Sequence, residues 1–121
     1  QSVSQSAPFA GVSVSLNIFD KTSTRLPEAM FLTSIPIGSG DDGAVWSMDV
    51  LGSSVDPLDV AEGASRGLHA VTGGVSLTDP SGSVLEWASL DAGIVRWSEP
   101  LPFPTPLHAQ PDLSKGVSYL L

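Results

Sequence analysis

The sequence predicts an all-β protein, an antiparallel β-sandwich of about six or seven strands with at most one short helix. Three observations lead there. Over residues 11–20, Val12, Val14, Leu16 and Ile18 alternate with Ser13, Ser15 and Asn17, the period of a strand buried on one face. Residues 67–95 read as two long strands folded about a tight turn, a pair that other segments must cover before it is stable in water. Turn residues recur between the apolar runs about every ten positions.

Taken in order, residues 1–8 are small and polar and form a flexible N-terminus to a single domain spanning residues 1–121. The alternating strand of residues 11–20 follows, then a polar turn at residues 21–25 and an extended restart at Leu26, Pro27 and Glu28. Residues 29–35 are continuously apolar from Ala29 to Leu32 and too short for a typical helix, so they read as a more buried strand that Pro36 ends. Residues 38–43 form a loop carrying Asp41 and Asp42. Its aspartates suggest calcium, but an EF-hand needs oxygen ligands spread over about twelve residues and closed by a Glu, so a solvated acidic turn is the better reading. The next strand, residues 45–51, places Val45, Ser47, Asp49 and Leu51 on one face and Trp46, Met48 and Val50 on the other.

Residues 56–62 hold the one helix start: Asp56 as cap, Pro57 in the first helical position, and Asp59 and Glu62 near the positive end of the dipole. Gly63 and Gly67 limit it to a turn or two. In the hairpin, Leu68, Ala70, Val75 and Leu77 line the first arm. Asp79, Pro80, Ser81 and Gly82 make the turn, and Val84, Leu85, Trp87 and Leu90 lead back. Four prolines at alternate positions, Pro100, Pro102, Pro104 and Pro106, forbid helix and favour an extended strap over the core. Residues 111–114 turn the chain into a last short strand at residues 115–121.

Composition excludes several function classes. Apolar residues are 41% and charged ones 15%, which places the chain among packed globular proteins. Thirteen carboxylates against five Lys and Arg give a formal charge of -8, which repels phosphate backbones and anionic lipids. Nucleic acid and membrane are therefore not expected as partners, and no apolar run approaches the ~20 residues of a membrane span. The small, polar beginning suits a mature extracellular chain, so a secreted protein is the expectation.

Candidate chemistry is sparse. His69 and His108 are the acid–base candidates, yet no G-x-S-x-G nucleophile turn and no third zinc ligand at recognisable spacing accompanies them. Hydrogen-bonded structural roles are the better reading of both. Trp46, Trp87 and Trp97 offer surfaces for sugar rings, although packing is the commoner use of aromatics in a sandwich. Trp97 is expected to be the exposed one, because it falls where the strand gives way to Ser98, Glu99 and Pro100. The expectation is thus no catalytic residue, no metal and no cofactor. Asp41, Asp42, Trp97 and Glu99, all placed in loops, are the candidate partner-binding residues.

The segments RLPEAMFLTSIP (25–36), WSMDVLGSSVDPLDV (46–60), GLHAVTGGVSLTD (67–79), SLDAGIV (89–95) and FPTPLHAQPDLSKGVSYLL (103–121) carry a resemblance. They look like the C-terminal β region of a fungal family of unknown function related to the glycoside hydrolase family 38 α-mannosidases. The resemblance implies a β-sandwich without the catalytic domain, which in the mannosidases holds the zinc ligands and the catalytic aspartate. No catalytic residue carries over. With its length, acidity and lack of cysteine, the chain further resembles a sweet-tasting fungal protein. That likeness implies non-enzymatic binding to the sweet taste receptor through the surface, with a carbohydrate-binding or accessory module as the alternative. Separation from a larger parent leaves an apolar face, so a homodimer is also expected.

Overall fold

The computed structural model describes residues 10–25, 29–34, 43–99 and 109–121. Eight strands form among them: β1 (Phe31–Ser34), β2 (Val45–Val50), β3 (Ser53–Val55), β4 (Leu68–Ala70), β5 (Gly74–Thr78), β6 (Val84–Trp87), β7 (Ile94–Trp97) and β8 (Val117–Leu120), with a single 3₁₀ turn at Leu113–Lys115. They make two four-stranded antiparallel sheets, ordered β1-β8-β7-β4 and β3-β2-β5-β6. The all-β sandwich expected from the sequence is the observed architecture.

The core lies between the sheets. Trp46 and Met48 of β2 and Val75 and Leu77 of β5 meet Val95 and Trp97 of β7 and Val117 and Tyr119 of β8. Burial of each such side chain is worth about 1.5–3 kcal/mol. The alternation read in residues 45–51 is observed, with Trp46 and Met48 inward, because neighbouring strand residues point to opposite faces. Two polar contacts register one sheet on the other. The Trp97 Nε1–H donates to Met48 Sδ at 3.3 Å, and the Tyr119 hydroxyl donates to the Trp87 carbonyl at 2.6 Å. Strand β7 therefore lies over β2, and β8 lies over β5 and β6.

That stacking puts the two remaining strands of this side, β1 and β6, at the same margin of the sandwich. Leu32 stands opposite Tyr119 and Leu85 opposite Leu77, so both point toward the core. Yet they are 48% and 51% exposed. The sandwich is closed along its middle strands and open along the β1/β6 side. Of the run 29–35, expected as a more buried strand, β1 is half-exposed at an edge, and Ile35 and Pro36 lie outside the described residues.

The hairpin expected over residues 67–95 is split between the sheets. Its turn and its central pair β5/β6 are as expected, with Asp79 accepting from the Ser83 N–H and Gly82 at φ 88°. The arms beyond it cross over: β4 and β7 pair with each other in the opposite sheet. The crossing occurs at Thr72 and Gly73, where the Thr72 N–H bonds the Asp49 carbonyl at 2.9 Å and the Val71 N–H bonds the Gly93 carbonyl at 2.8 Å. Gly74 then enters β5 at φ 106°, a conformation only glycine takes easily.

Two expectations are corrected. Residues 56–62 form turns, not a helix: the Asp56 side chain does accept from the Leu58 N–H at 2.8 Å, and its carbonyl from the Asp59 N–H at 3.1 Å, but the helical pattern stops there. A cap with so few residues behind it cannot offset the cost of helix nucleation. Residues 11–20 are not a strand either; the whole segment is exposed, with Val12 at 92% and Phe19 at 83%. Its alternation is present, but no sheet edge of the same chain receives it. The proline strap at residues 100–106 and the flexible N-terminus at residues 1–8 lie outside the described residues.

Candidate functional site

The outer face of the second sheet is built from the residues that alternate with its core positions. Ser47 of β2, Ser76 of β5 and Glu86 of β6 stand in one cross-strand row. Asp49, opposite Ser54 on β3 and Gly74 on β5, forms the next row. Together with Gly52 and Gly73 they line a shallow groove of about 290 Å³. Ser47 and Ser76 share a hydrogen bond of 3.0 Å between hydroxyls, and Glu86 continues the row with a carboxylate.

One end of this groove is rigidly organised by Asp49. Its Oδ1 accepts from the Thr72 hydroxyl at 2.7 Å and from the Gly52 N–H at 3.0 Å, while the Leu51 N–H donates to Thr72 Oγ1 at 2.8 Å. The Thr72 hydroxyl, then the Gly52 amide, hold the Asp49 carboxyl below its ordinary range. Gly73 is required beside it, because a Cβ there would stand 2.8 Å from the carboxylate carbon. Asp79 and Asp112 are used in the same way. The Ser81 hydroxyl and Ser83 amide lower the first, and the Ser114 hydroxyl and amide lower the second. These three carboxylates tie turns together.

The remaining acids face solvent, and their distribution is lopsided. Residues 43–65 and 72–93, which hold the second sheet, its turns and the connections that lead from it to β4 and β7, contain Asp49, Asp56, Asp59, Glu62, Asp79, Glu86 and Asp91 and no Lys, Arg or His. The first sheet and its flanks, residues 66–70, 94–99 and 109–121, contain Arg66, His69, Arg96 and Lys115 against Glu99 and Asp112. Charge is thus segregated along the chain. The second sheet and the connections leaving it carry a negative field that concentrates cationic and hydrogen-bond-donating groups.

Of the residues singled out in the sequence, Glu99 is exposed as expected. Its carboxylate pairs with Lys115 Nζ and its carbonyl accepts from Arg96 Nε at 2.9 Å. Trp97 is corrected: it is 1% exposed, inside β7, edge-on to Trp46 with ring centroids 5.0 Å apart. The strand includes Trp97 and turns only at Ser98, which takes φ 68°. The spacing of Trp97 from Val95 by two residues carried the signal, since it puts both on the core face. Trp87 stacks on Trp46 at 5.3 Å, so all three indoles pack together, and Trp46 Nε1 is buried without a partner. His69 is half-buried in β4 with Nε2 3.2 Å from the Arg66 carbonyl. Asp41, Asp42 and His108 lie outside the described residues.

Among the described residues no three His, Cys, Asp or Glu side chains come together as a metal site, and no helix is long and apolar enough to cross a membrane. The row of Ser47, Ser76 and Glu86 was missed in the sequence because serines alternating with apolar residues read as the solvent side of a strand and nothing more. No family model, curated protein or solved structure matches this chain.

Proposed function

We propose that this chain is a non-enzymatic, secreted recognition module that acts by binding the sweet taste receptor through its surface, and that it descends from the β region of the fungal family it resembles. The observation that carries this reading is the segregation of charge. A partner with a basic surface meets the acidic residues of the second sheet and of the connections that leave it, where the exposed carboxylates of Asp59, Glu62, Glu86 and Asp91 are free to contact it. Such a charge distribution steers association over long range and discriminates by sign. Glu99 sits on the opposite, mixed-charge sheet and contributes less. Asp41 and Asp42 add to the acidic total of the chain.

Cells carrying the two sweet-receptor subunits test the proposal. A response at micromolar protein, weakened at least fivefold when Asp59, Glu62, Glu86 and Asp91 are changed together to their amides, supports it. Silence of the parent protein at that concentration removes it. The groove of Ser47, Ser54, Ser76 and Glu86 favours the carbohydrate-binding reading as the second choice, because hydroxyl and carboxylate groups can bond sugar hydroxyls. Retention on a mannan column that Glu86→Gln abolishes would decide for it.

A further inference from the structure

The most unusual surface of the molecule is residues 12–18. In a monomer Val12, Val14, Leu16 and Ile18 are 92%, 71%, 59% and 51% exposed, although they alternate with polar residues as the core-facing positions of a strand do. The same monomer is open along the margin where β1 and β6 lie, with the inward-pointing Leu32 and Leu85 half in solvent. Both strands lack a further strand neighbour among the described residues, so each also offers unpaired backbone N–H and C=O groups. One feature is a strand-patterned segment without a sheet. The other is a pair of sheet edges without their last strand.

We infer that residues 12–18 of one copy lie as an added strand in the open β1/β6 side of a second copy, and that the exchange is reciprocal about a two-fold axis. The period of two fits: with Val12, Val14, Leu16 and Ile18 turned inward, they extend the rows that end at Leu32 and Leu85, and Ser13, Ser15 and Asn17 face water. Charge fits as well. Two copies at -8 repel each other, and residues 1–19, the longest stretch without a charged side chain, can approach another copy without that penalty. The reach is adequate, since seven extended residues span roughly 23 Å against the four residues of each edge strand. Reciprocal donation places two strands in one interface, toward the roughly 1,200 Å² at which stable contacts begin. The occupant is a second copy because the segment of the same chain stands in solvent along its length.

Light scattering across a hundredfold dilution, combined with crosslinking, tests the inference. The absence of cysteine makes introduced thiols unambiguous. An isotopically heavy copy bearing Val14→Cys is mixed with a light copy bearing Leu85→Cys and treated with a short bismaleimide. The expected results are a heavy–light crosslinked dimer, a dimer mass that dissociates on dilution, and association at least tenfold weaker for Leu16→Asp with unchanged monomer near-ultraviolet circular dichroism. A monomer mass throughout, a crosslink only within one chain when both thiols share it, or unfolding of the Leu16→Asp monomer would each overturn the inference. The last two would mean that the strand closes its own sandwich.

Discussion

Gly74→Ala tests the account of how the chain passes between the sheets. Gly74 is the first residue of β5 after the crossing, and it holds φ 106°, which costs an alanine about 1–3 kcal/mol of backbone strain. A Cβ there would also overlap the carbonyl oxygen of Trp87 and come 3.0 Å from the Ala88 Cα, so backbone must move, at about 1–3 kcal/mol. That same carbonyl is the acceptor of the Tyr119 hydroxyl, whose bond is worth about 1 kcal/mol. The expected loss is therefore roughly 3–7 kcal/mol, a large part of the 5–15 kcal/mol that hold a domain together. Urea unfolding followed by tryptophan fluorescence measures it. Two companions separate the causes. Gly63→Ala, at φ 83° with nothing within 4 Å of the new carbon, loses only strain, about 1 kcal/mol. Gly67→Ala, at an ordinary φ in open space, is neutral or gains up to about 1 kcal/mol. A Gly74→Ala protein within about 1 kcal/mol of the parent, or a Gly63→Ala protein losing as much as it does, would refute the close approach of β5 to β6.

Other outcomes follow from the same contacts. Tyr119→Phe leaves the Trp87 carbonyl without its inter-sheet donor and is expected to lower stability by about 1–3 kcal/mol in the same urea assay. Desolvation raises the Tyr119 pKa above its ordinary 10.0, against a lowering backbone hydrogen bond from Val75, so the folded form holds its proton longer than the unfolded form. Its contribution is full below pH 10 and is lost as pH rises further, and Tyr119→Phe should flatten that alkaline decline in urea midpoint. Asp49, Asp79 and Asp112 have the opposite sign: their pKa values lie below 3.8, so their stabilisation is present above that pH and disappears as pH falls through the lowered values. Asp79→Asn should make acid unfolding less steep. Trp46→Phe removes a buried N–H that has no acceptor and should cost less stability than Trp97→Phe, which also removes the contact with Met48 Sδ.

Local chemistry made some of the fold legible. The β5/β6 turn could be read because Asp79 and Gly82 act within a few residues of each other, and β2 because Trp46 and Met48 alternate with Ser47 and Asp49. What could not be read was which sheet a strand joins. The pair Gly73 and Gly74 was seen as part of one continuous arm, yet it marks the crossing, since only the tertiary pairing of Thr72 with Asp49 shows where the chain turns away. Residues 11–20 illustrate the same limit from the other side: alternation reports which side chains gain from burial, not whether a partner is within reach. The candidate site was less visible still. Trp97 looked exposed because prolines and polar residues follow it, while the acidic grouping emerges only once β2, β3, β5 and β6 are known to share a sheet.

The grouping of Trp46, Trp87 and Trp97 has an optical consequence. Ring centroids 5.3 Å and 5.0 Å apart allow the indole transitions of the cluster to couple across each pair. Its members come from both halves of the sandwich, with Trp97 on one and Trp46 and Trp87 on the other. The Trp46–Trp97 part of a far-ultraviolet exciton signal would therefore vanish the moment the halves part, while the Trp46–Trp87 part lasts as long as the second sheet does, giving this chain a built-in gauge of its own closure.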